Sequence, residues 1–293
     1  MAITILTPTY NRKDSLNKLY LTLSAQTNKE FEWVIVDDGS TDGTDKMITG
    51  WNLNQHGFIV RYYKKENGGK SRAVNFGLDV CSSSEFVLIV DDDEELYPNA
   101  TDIISSYVEK YRNTNCVGME FLRNDKNKNP IANYILDKDL IMSVQERKNK
   151  HLEIDGYTGY FIQKLGNHRF PEFEGERYVG PGVLQMLASQ KHDLVWPCVA
   201  LGETEYLLGG ITSQGRKLRL RNPKGMIVYC DLLQNHKSGL LIRLKYSVMG
   251  YAYATFIQNK RERREVIGNS HFYKSCFIPG ILLGAIWKAK YFK

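Results

Sequence analysis

Three apolar runs in the first third of the chain each end abruptly on a polar or acidic cluster, and this constrains the fold more than any other feature. They are "ITILTPTYN" (3–11), "WVIVDDGSTDGT" (33–44) and "FVLIVDDDEEL" (86–96). Adjacent carboxylates repel and are costly to bury, so a strand that ends on them needs cations or hydrogen-bond donors nearby. Between the runs, Leu16, Leu19 and Leu23 recur at helical spacing, as do Val74, Leu78 and Cys81, and then Ile103, Tyr107 and Tyr111. Residues 58–65 add a further strand pattern. Strand–helix alternation with short turns predicts an α/β fold with a mostly parallel sheet covered by helices on both faces. In such sheets ligands bind beyond the carboxyl ends of the strands, where the polar clusters would meet.

The remainder divides the chain. Residues 124–130 read as an exposed loop, and 171–190 as an acidic Gly/Pro-rich turn followed by a helix with Val183, Leu184 and Leu187 inward. A helix over 239–258 would carry Leu241, Leu244, Val248, Tyr251 and Thr255 on one stripe. We expect an α/β domain over 1–205 and a helical C-terminal extension over 206–293, the boundary lying where the alternation gives way to helical patterns. The extension ends in an eleven-residue apolar run, Phe277–Trp287, flanked by Lys274, Lys288 and Lys290. With its Pro-Gly break this run is too short to span a bilayer, and it suits either a packed helix or a shallow membrane-surface anchor. No stretch reaches 18 apolar residues, and the first residues lack the pattern of a signal peptide. Five scattered cysteines fit a reducing compartment. The expected location is therefore cytoplasmic, with peripheral contact at the inner face of the cell membrane compatible with the tail. The net charge of +6 is consistent with a phosphorylated substrate or an anionic membrane. Glu262 and Glu265 dilute the "KRERR" cluster, so nucleic acid is not an expected partner.

The clusters specify the chemistry. Three aspartates in "VDDDEEL" call for a divalent cation, and all-oxygen ligands suit Mg2+ or Mn2+. In an extended strand end Asp91 and Asp93 would point the same way and share it. Asp38, beside a Gly-Ser turn, can accept from a base or ribose, and Tyr10 can stack. Lys70 and Arg72 open a helix after "ENGG", an arrangement suited to a diphosphate.

In order and spacing, "ITILTPTYNRKDSLNKLYLTLSAQTNKEFEWVIVDDGSTDGT", "NGGKSRAVNFGL" and "LIVDDDEEL" resemble family 2 glycosyltransferases of the GT-A fold, over roughly residues 2–115. Further on, "FEGERYVGPGVL" and "RKLRLRNPKGMIVYCDLL" are similar to bacterial enzymes that build capsular or exopolysaccharide glycans. The resemblance implies a GT-A domain that inverts the anomeric carbon while moving one sugar from a nucleotide-sugar, a UDP-sugar foremost, to a glycan or lipid-linked glycan. It implies that Asp91-x-Asp93 is the DxD motif, with Asp93 the principal ligand of Mn2+ or Mg2+ and Asp92 near the donor. Thr7, Pro8, Tyr10 and Asp38 would line the nucleoside, and Lys70 and Arg72 the nucleotide. The base would be Glu176. Arg177 stands where the family commonly carries Asp, so Glu174 stays as the second candidate. A non-catalytic nucleotide-sugar-binding partner at the membrane is the competing reading. A nucleotidyltransferase ranks lower, since "TPTYNRKDS" has no glycine.

Overall fold

The apolar runs form neighbouring strands in the computed structural model, which describes residues 3–51, 57–133, 137–204 and 215–292. The first third runs β1 (Ile3–Thr9), α1 (Lys13–Ser24), β2 (Phe31–Asp37), α2 (Thr44–Thr49), β3 (Ile59–Lys64), α3 (Lys70–Val80), β4 (Phe86–Ile89), β5 (Glu94–Leu96) and α4 (Ala100–Tyr111). Then follow β6 (Cys116–Asn124), β7 (Leu140–Met142), α5 (Val144–Asn149), β8 (Gly156–Phe161), α6 (Ile162–Leu165), α7 (Gly182–Ala188), β9 (Asp193–Trp196) and β10 (Ala200–Thr204). The last segment is helical: α8 (Gly215–Arg221), α9 (Pro223–Leu232), α10 (Leu240–Ala254), α11 (Lys260–Gly268) and α12 (Phe277–Tyr291).

The strands lie in the order β3-β2-β1-β4-β8-β6-β10-β5. β1 pairs in parallel with β2 and β4, and β2 with β3. β8 enters antiparallel between β4 and β6. β9 and β10 both run parallel to β6 and share its other edge, β9 along Cys116–Met119 and β10 from Leu122 to Asn124. Strands buried on both faces carry continuous apolar runs rather than alternation, which is why "ITIL" and "WVIV" read as they do. One face packs Ile3, Ile5, Trp33 and Leu88 against Leu16, Leu19 and Leu23 of α1 and Ile104 and Val108 of α4. The other face receives α3, whose Gly77 approaches so closely that an added Cβ would stand 2.3 Å from Leu6 Cδ1. Helices therefore cover both faces, as the alternation predicts.

Two compact units are distinguishable: Met1–Ser143 with Leu152–His168 and Ala188–Glu205, and Val144–His151 with Arg169–Leu187 and Tyr206–Lys293. The expected boundary between 205 and 206 lies outside the described residues. The first unit holds the sheet. The second has its own core, in which Cys230, Tyr251, Tyr253, Ile257, Phe272 and Trp287 are buried together.

Three local expectations change. The strand before the acidic run stops at Ile89, so Asp91 to Asp93 lie on a turn rather than a strand end, closed by Glu94 N–H donating to the Asp91 carbonyl at 3.2 Å. Alternation of side chains does not apply there, and the carboxylates fan out toward different partners. Leu241 does not join the buried stripe of α10 and is 82% exposed. Nor does Pro279 break the last helix. It falls in the first turn of α12, where its missing N–H has no intrahelical partner to lose.

Candidate functional site

The tips of β2, β1 and β4 are adjacent because β1 lies between the other two, with Thr9 opposite Asp37 and Leu6 opposite Ile89. The loops that follow are tied together. Asn11 adopts a left-handed backbone (φ 52°), which asparagine tolerates better than most residues. Its N–H donates to Ser40 Oγ at 2.8 Å and its side-chain carbonyl accepts from Thr41 N–H at 2.8 Å, joining the first loop to the second. Thr9 Oγ1 donates to Asp92 Oδ2 at 2.7 Å, joining the first to the acidic turn.

Each aspartate of that turn has its own partner. Asp91 accepts from Lys70 Nζ at 2.5 Å, and Asp93 from Arg12 at 2.5 Å. Asp92 is buried, with Thr9 on one oxygen and Arg12 3.5 Å from the other. Burial pushes Asp92 up to about 7 against the pull of Thr9 and Arg12, with the charges of Asp93 and Asp91 adding to the rise. Burial would raise Asp91 too, but Lys70, then Arg123 and Arg12, outweigh it and hold that carboxyl below the ordinary carboxylate range. Behind the turn, Glu94 accepts the Asp91 N–H at 3.0 Å and forms a buried ion pair with Arg123. The Arg123 guanidinium lies over the Tyr157 ring, 4.9 Å from its centroid.

Asp38 is buried after β2 and organises the loop before α3. Its carboxylate accepts from Lys65 Nζ at 2.9 Å and from the backbone N–H groups of Gly68 at 2.9 Å and Gly69 at 2.7 Å. Asp37 is spent internally on Tyr62 (2.6 Å) and Ser40 N–H (2.7 Å). Thr7 is fully buried and accepts the Trp33 indole N–H at 3.0 Å, while Pro8 beside it is also buried. Tyr10 stands 48% exposed at the tip of β1. Arg72 is half-buried in the first turn of α3, its stem against Gly68. Thr7, Pro8, Tyr10, Asp38, Lys70, Arg72 and the three aspartates are thus all at or beside the tips of β1, β2 and β4 or the start of α3.

The two candidate bases belong to the second unit. Glu176 is buried and seats its carboxylate on the start of α9, accepting from Lys224 N–H at 2.9 and 3.1 Å and from Gly225 N–H at 3.2 Å. Burial raises its pKa, only partly countered by those donors. Glu174 is exposed, and its carbonyl accepts from Lys224 Nζ at 3.3 Å. It lines an open cleft of about 450 Å³ with Lys224, Asn259, Arg261, Glu262 and Glu265.

Sequence reasoning missed Arg12, Lys65 and the Glu94–Arg123 pair. The need for positive charge at "DDD" was legible, and Arg12 sits just past the first strand tip, but nothing local pairs it with residues 80 and 81 positions away.

Against known proteins, the profile described as Glycosyl transferase family 2 matches residues 4–167, more than half of the chain. The chain belongs to this family. It is 30% identical over 123 residues to "Glycosyltransferase GlyA" of Streptococcus pneumoniae, a match covering 42% of this chain and 17% of that protein. It is 33% identical over 100 residues to the "GalNAc(5)-diNAcBac-PP-undecaprenol beta-1,3-glucosyltransferase" of Campylobacter jejuni, covering 33% of this chain and 31% of that one. The matched part is therefore under a third of the length of either relative. Among solved structures, S. aureus TarS 1–349 in complex with UDP-GlcNAc superposes with a TM-score of 0.66 at 16% identity, covering 99% of this chain and 81% of that one. The mannosyltransferase PcManGT of Pyrobaculum calidifontis, in complex with GDP-Man and Mn2+, gives 0.59 at 14% identity, covering 98% and 87%. At these identities the likeness is one of fold, and that fold is the GT-A arrangement that the sequence resemblance implies.

Among the described residues, no three acidic, histidine or cysteine side chains converge as a ready-made metal cage. The chemistry of the donors nonetheless fits a divalent cation. Asp91 and Asp93 offer the hard oxygens such an ion takes, although each is paired here with its own cation, Lys70 on one and Arg12 on the other, which a bound ion would have to replace.

Proposed function

We propose that this glycosyltransferase moves a single sugar from a nucleotide-sugar, a UDP-sugar foremost, to a glycan or lipid-linked glycan acceptor in surface polysaccharide synthesis, with inversion at the anomeric carbon. The observation that carries the reading is the meeting of three loops at one end of the parallel strands, where three carboxylates, Arg12 and Lys70 share a small volume. The UDP-GlcNAc and GDP-Man complexes of structural neighbours support a nucleotide-sugar donor, and the Campylobacter relative supports a lipid-linked acceptor.

In this reading Tyr10 offers an aromatic face to the base, and Asp38 holds the loop that lies against the nucleoside. Asp91 and Asp93 would hold Mn2+ or Mg2+, which supplies Lewis-acid stabilisation to the departing diphosphate. Lys70 and Arg12 bring two positive charges to the same turn, where negative charge grows on the leaving group. The acceptor hydroxyl must lose a proton as it attacks, and Glu176 is the proposed base, with Glu174 the second candidate. A buried carboxylate with a raised pKa accepts a proton more readily than one in water.

The test is donor turnover with manganese, followed as UDP release against a panel of UDP-, GDP- and dTDP-sugars. Asp93→Ala should lower metal-dependent release at least about a hundredfold, the scale on which a positioned electrostatic group acts. Glu176→Gln should keep donor binding and lose transfer. Full turnover by Asp93→Ala at ordinary metal concentrations would refute the metal role. Wild-type transfer by Glu176→Gln would move the base elsewhere.

A further inference from the structure

Among the described residues, α12 carries an apolar stripe that nothing covers. Ile278, Ile281, Leu282, Ala285, Ile286 and Ala289 are all exposed, and their spacing of three and four places them on one side of the helix. Ile278 is 69% exposed, Leu282 61% and Ile286 60%. The opposite side is fastened to α10 by close packing. Added Cβ atoms at Gly280 and Gly284 would stand 2.3 Å from Tyr251 Cβ and 2.5 Å from Thr255 Oγ1, and Trp287 packs on Tyr253 with ring centroids 5.0 Å apart. The glycine side thus cannot turn outward to let the isoleucines turn inward.

Charge says what the stripe fits. Lys288 and Lys290 precede and follow Ala289, so at about 100° per residue they stand on the two edges of the stripe. Both are exposed, as is Lys274 just before the helix, and residues 266–292 contain no Asp or Glu. An apolar face with a lysine on each edge is the pattern of a helix lying in a bilayer interface, with aliphatic groups among acyl chains and ammonium groups at anionic headgroups. Pairing with a second copy through this face would set lysines against lysines, with no carboxylate on the helix to receive them. The helix has 15 residues, about 22 Å at the usual rise, and a hydrocarbon core is roughly 30 Å thick. Nor is any helix among the described residues long and apolar enough to cross a membrane.

We propose that the outer face of α12 docks on the surface of an anionic lipid bilayer, the helix lying flat. This is independent of the donor chemistry and can fail or succeed without it.

The experiment is co-sedimentation of the full chain, without substrate, with phosphatidylcholine vesicles and with vesicles containing about a third phosphatidylglycerol. The chain should sediment with the anionic vesicles and far less with the neutral ones. Ile278→Ser/Leu282→Ser/Ile286→Ser should lower partitioning at least about a hundredfold while leaving the melting midpoint in place, since these side chains face outward. Lys288→Gln/Lys290→Gln, which leaves the stripe intact, should lower binding to anionic vesicles roughly 30-fold, at about 1 kcal/mol per lysine. Wild-type chain left in the supernatant would overturn the proposal, as would either variant sedimenting like wild type. Light scattering that shows a dimer dissolved by the triple substitution, with no vesicle binding, would assign the face to a second copy instead.

Discussion

Replacing Arg123 by Met tests whether the acidic turn depends on a buried ion pair behind it. Glu94 is 2% exposed and Arg123 12%, and the second oxygen of Glu94 holds the Asp91 N–H. Burial works against the Arg123 charge, but Glu94 and then Asp155 outweigh it, so the guanidinium titrates above its ordinary value. Met keeps the apolar stem over Tyr157 and removes the charge. Removing one member of a buried pair typically costs about 3–5 kcal/mol, because the other charge stays buried without compensation. Loss of the cation–π contact adds about 1 kcal/mol. Changing Glu94 to Gln in the same chain removes the stranded charge but keeps an acceptor for Asp91, so the double variant should recover most of the loss. The sign with pH follows. Burial already raises the Glu94 pKa to about 8 against the pull of Arg123, and Arg123→Met removes that pull and raises it further, so the added penalty is absent below the unfolded value of about 4.3 and grows as pH rises toward and past 8. Urea unfolding at about pH 5 and about pH 8 should show the single variant weaker at the higher pH, and the double variant with no such trend. A single variant within about 1 kcal/mol of wild type at both would refute the argument.

Other substitutions probe other links. Asp139 accepts from Tyr107, Lys110 and Tyr111 of α4 and from Cys198 N–H, and although burial alone would raise it these donors hold its pKa down to about 2. Its stabilising contribution is present above the unfolded value and is lost as pH falls toward 2. Asp139→Asn should therefore cost roughly 1–2 kcal/mol at neutral pH and almost nothing at the acid end, read from unfolding midpoints. Gly77→Ala should lower the melting midpoint, since overpacking of about 1–3 kcal/mol exceeds the gain in helix propensity. Adding Leu6→Val should restore part of that loss, and a rise in the single variant would contradict the packing. Glu176→Ala should destabilise by about 1–2 kcal/mol by stranding the Lys224 and Gly225 N–H groups, whereas Glu176→Gln should cost less. Equal losses in both would show that the carboxylate does not cap α9.

What the sequence determined by itself was local. Continuous apolar runs name β1, β2 and β4, and leucines at helical spacing name α1. A Gly-Gly before Lys70 marks the start of α3. Together they specify an α/β sheet and the end of it that gathers the polar clusters. These features depend on neighbours a few residues away, where backbone geometry and burial leave few choices. The tertiary structure decided the partnerships. Arg12 reaches Asp93, Arg123 reaches Glu94, and Glu176 caps a helix that starts 47 residues later, at Pro223. It also turned "DDD" off the strand end and chose which side of α12 stays outside. A buried or clustered charge needs a partner, but nothing in local periodicity says which distant residue supplies it, because that depends on how the strands are ordered in the sheet and how closely a glycine face lets two helices meet.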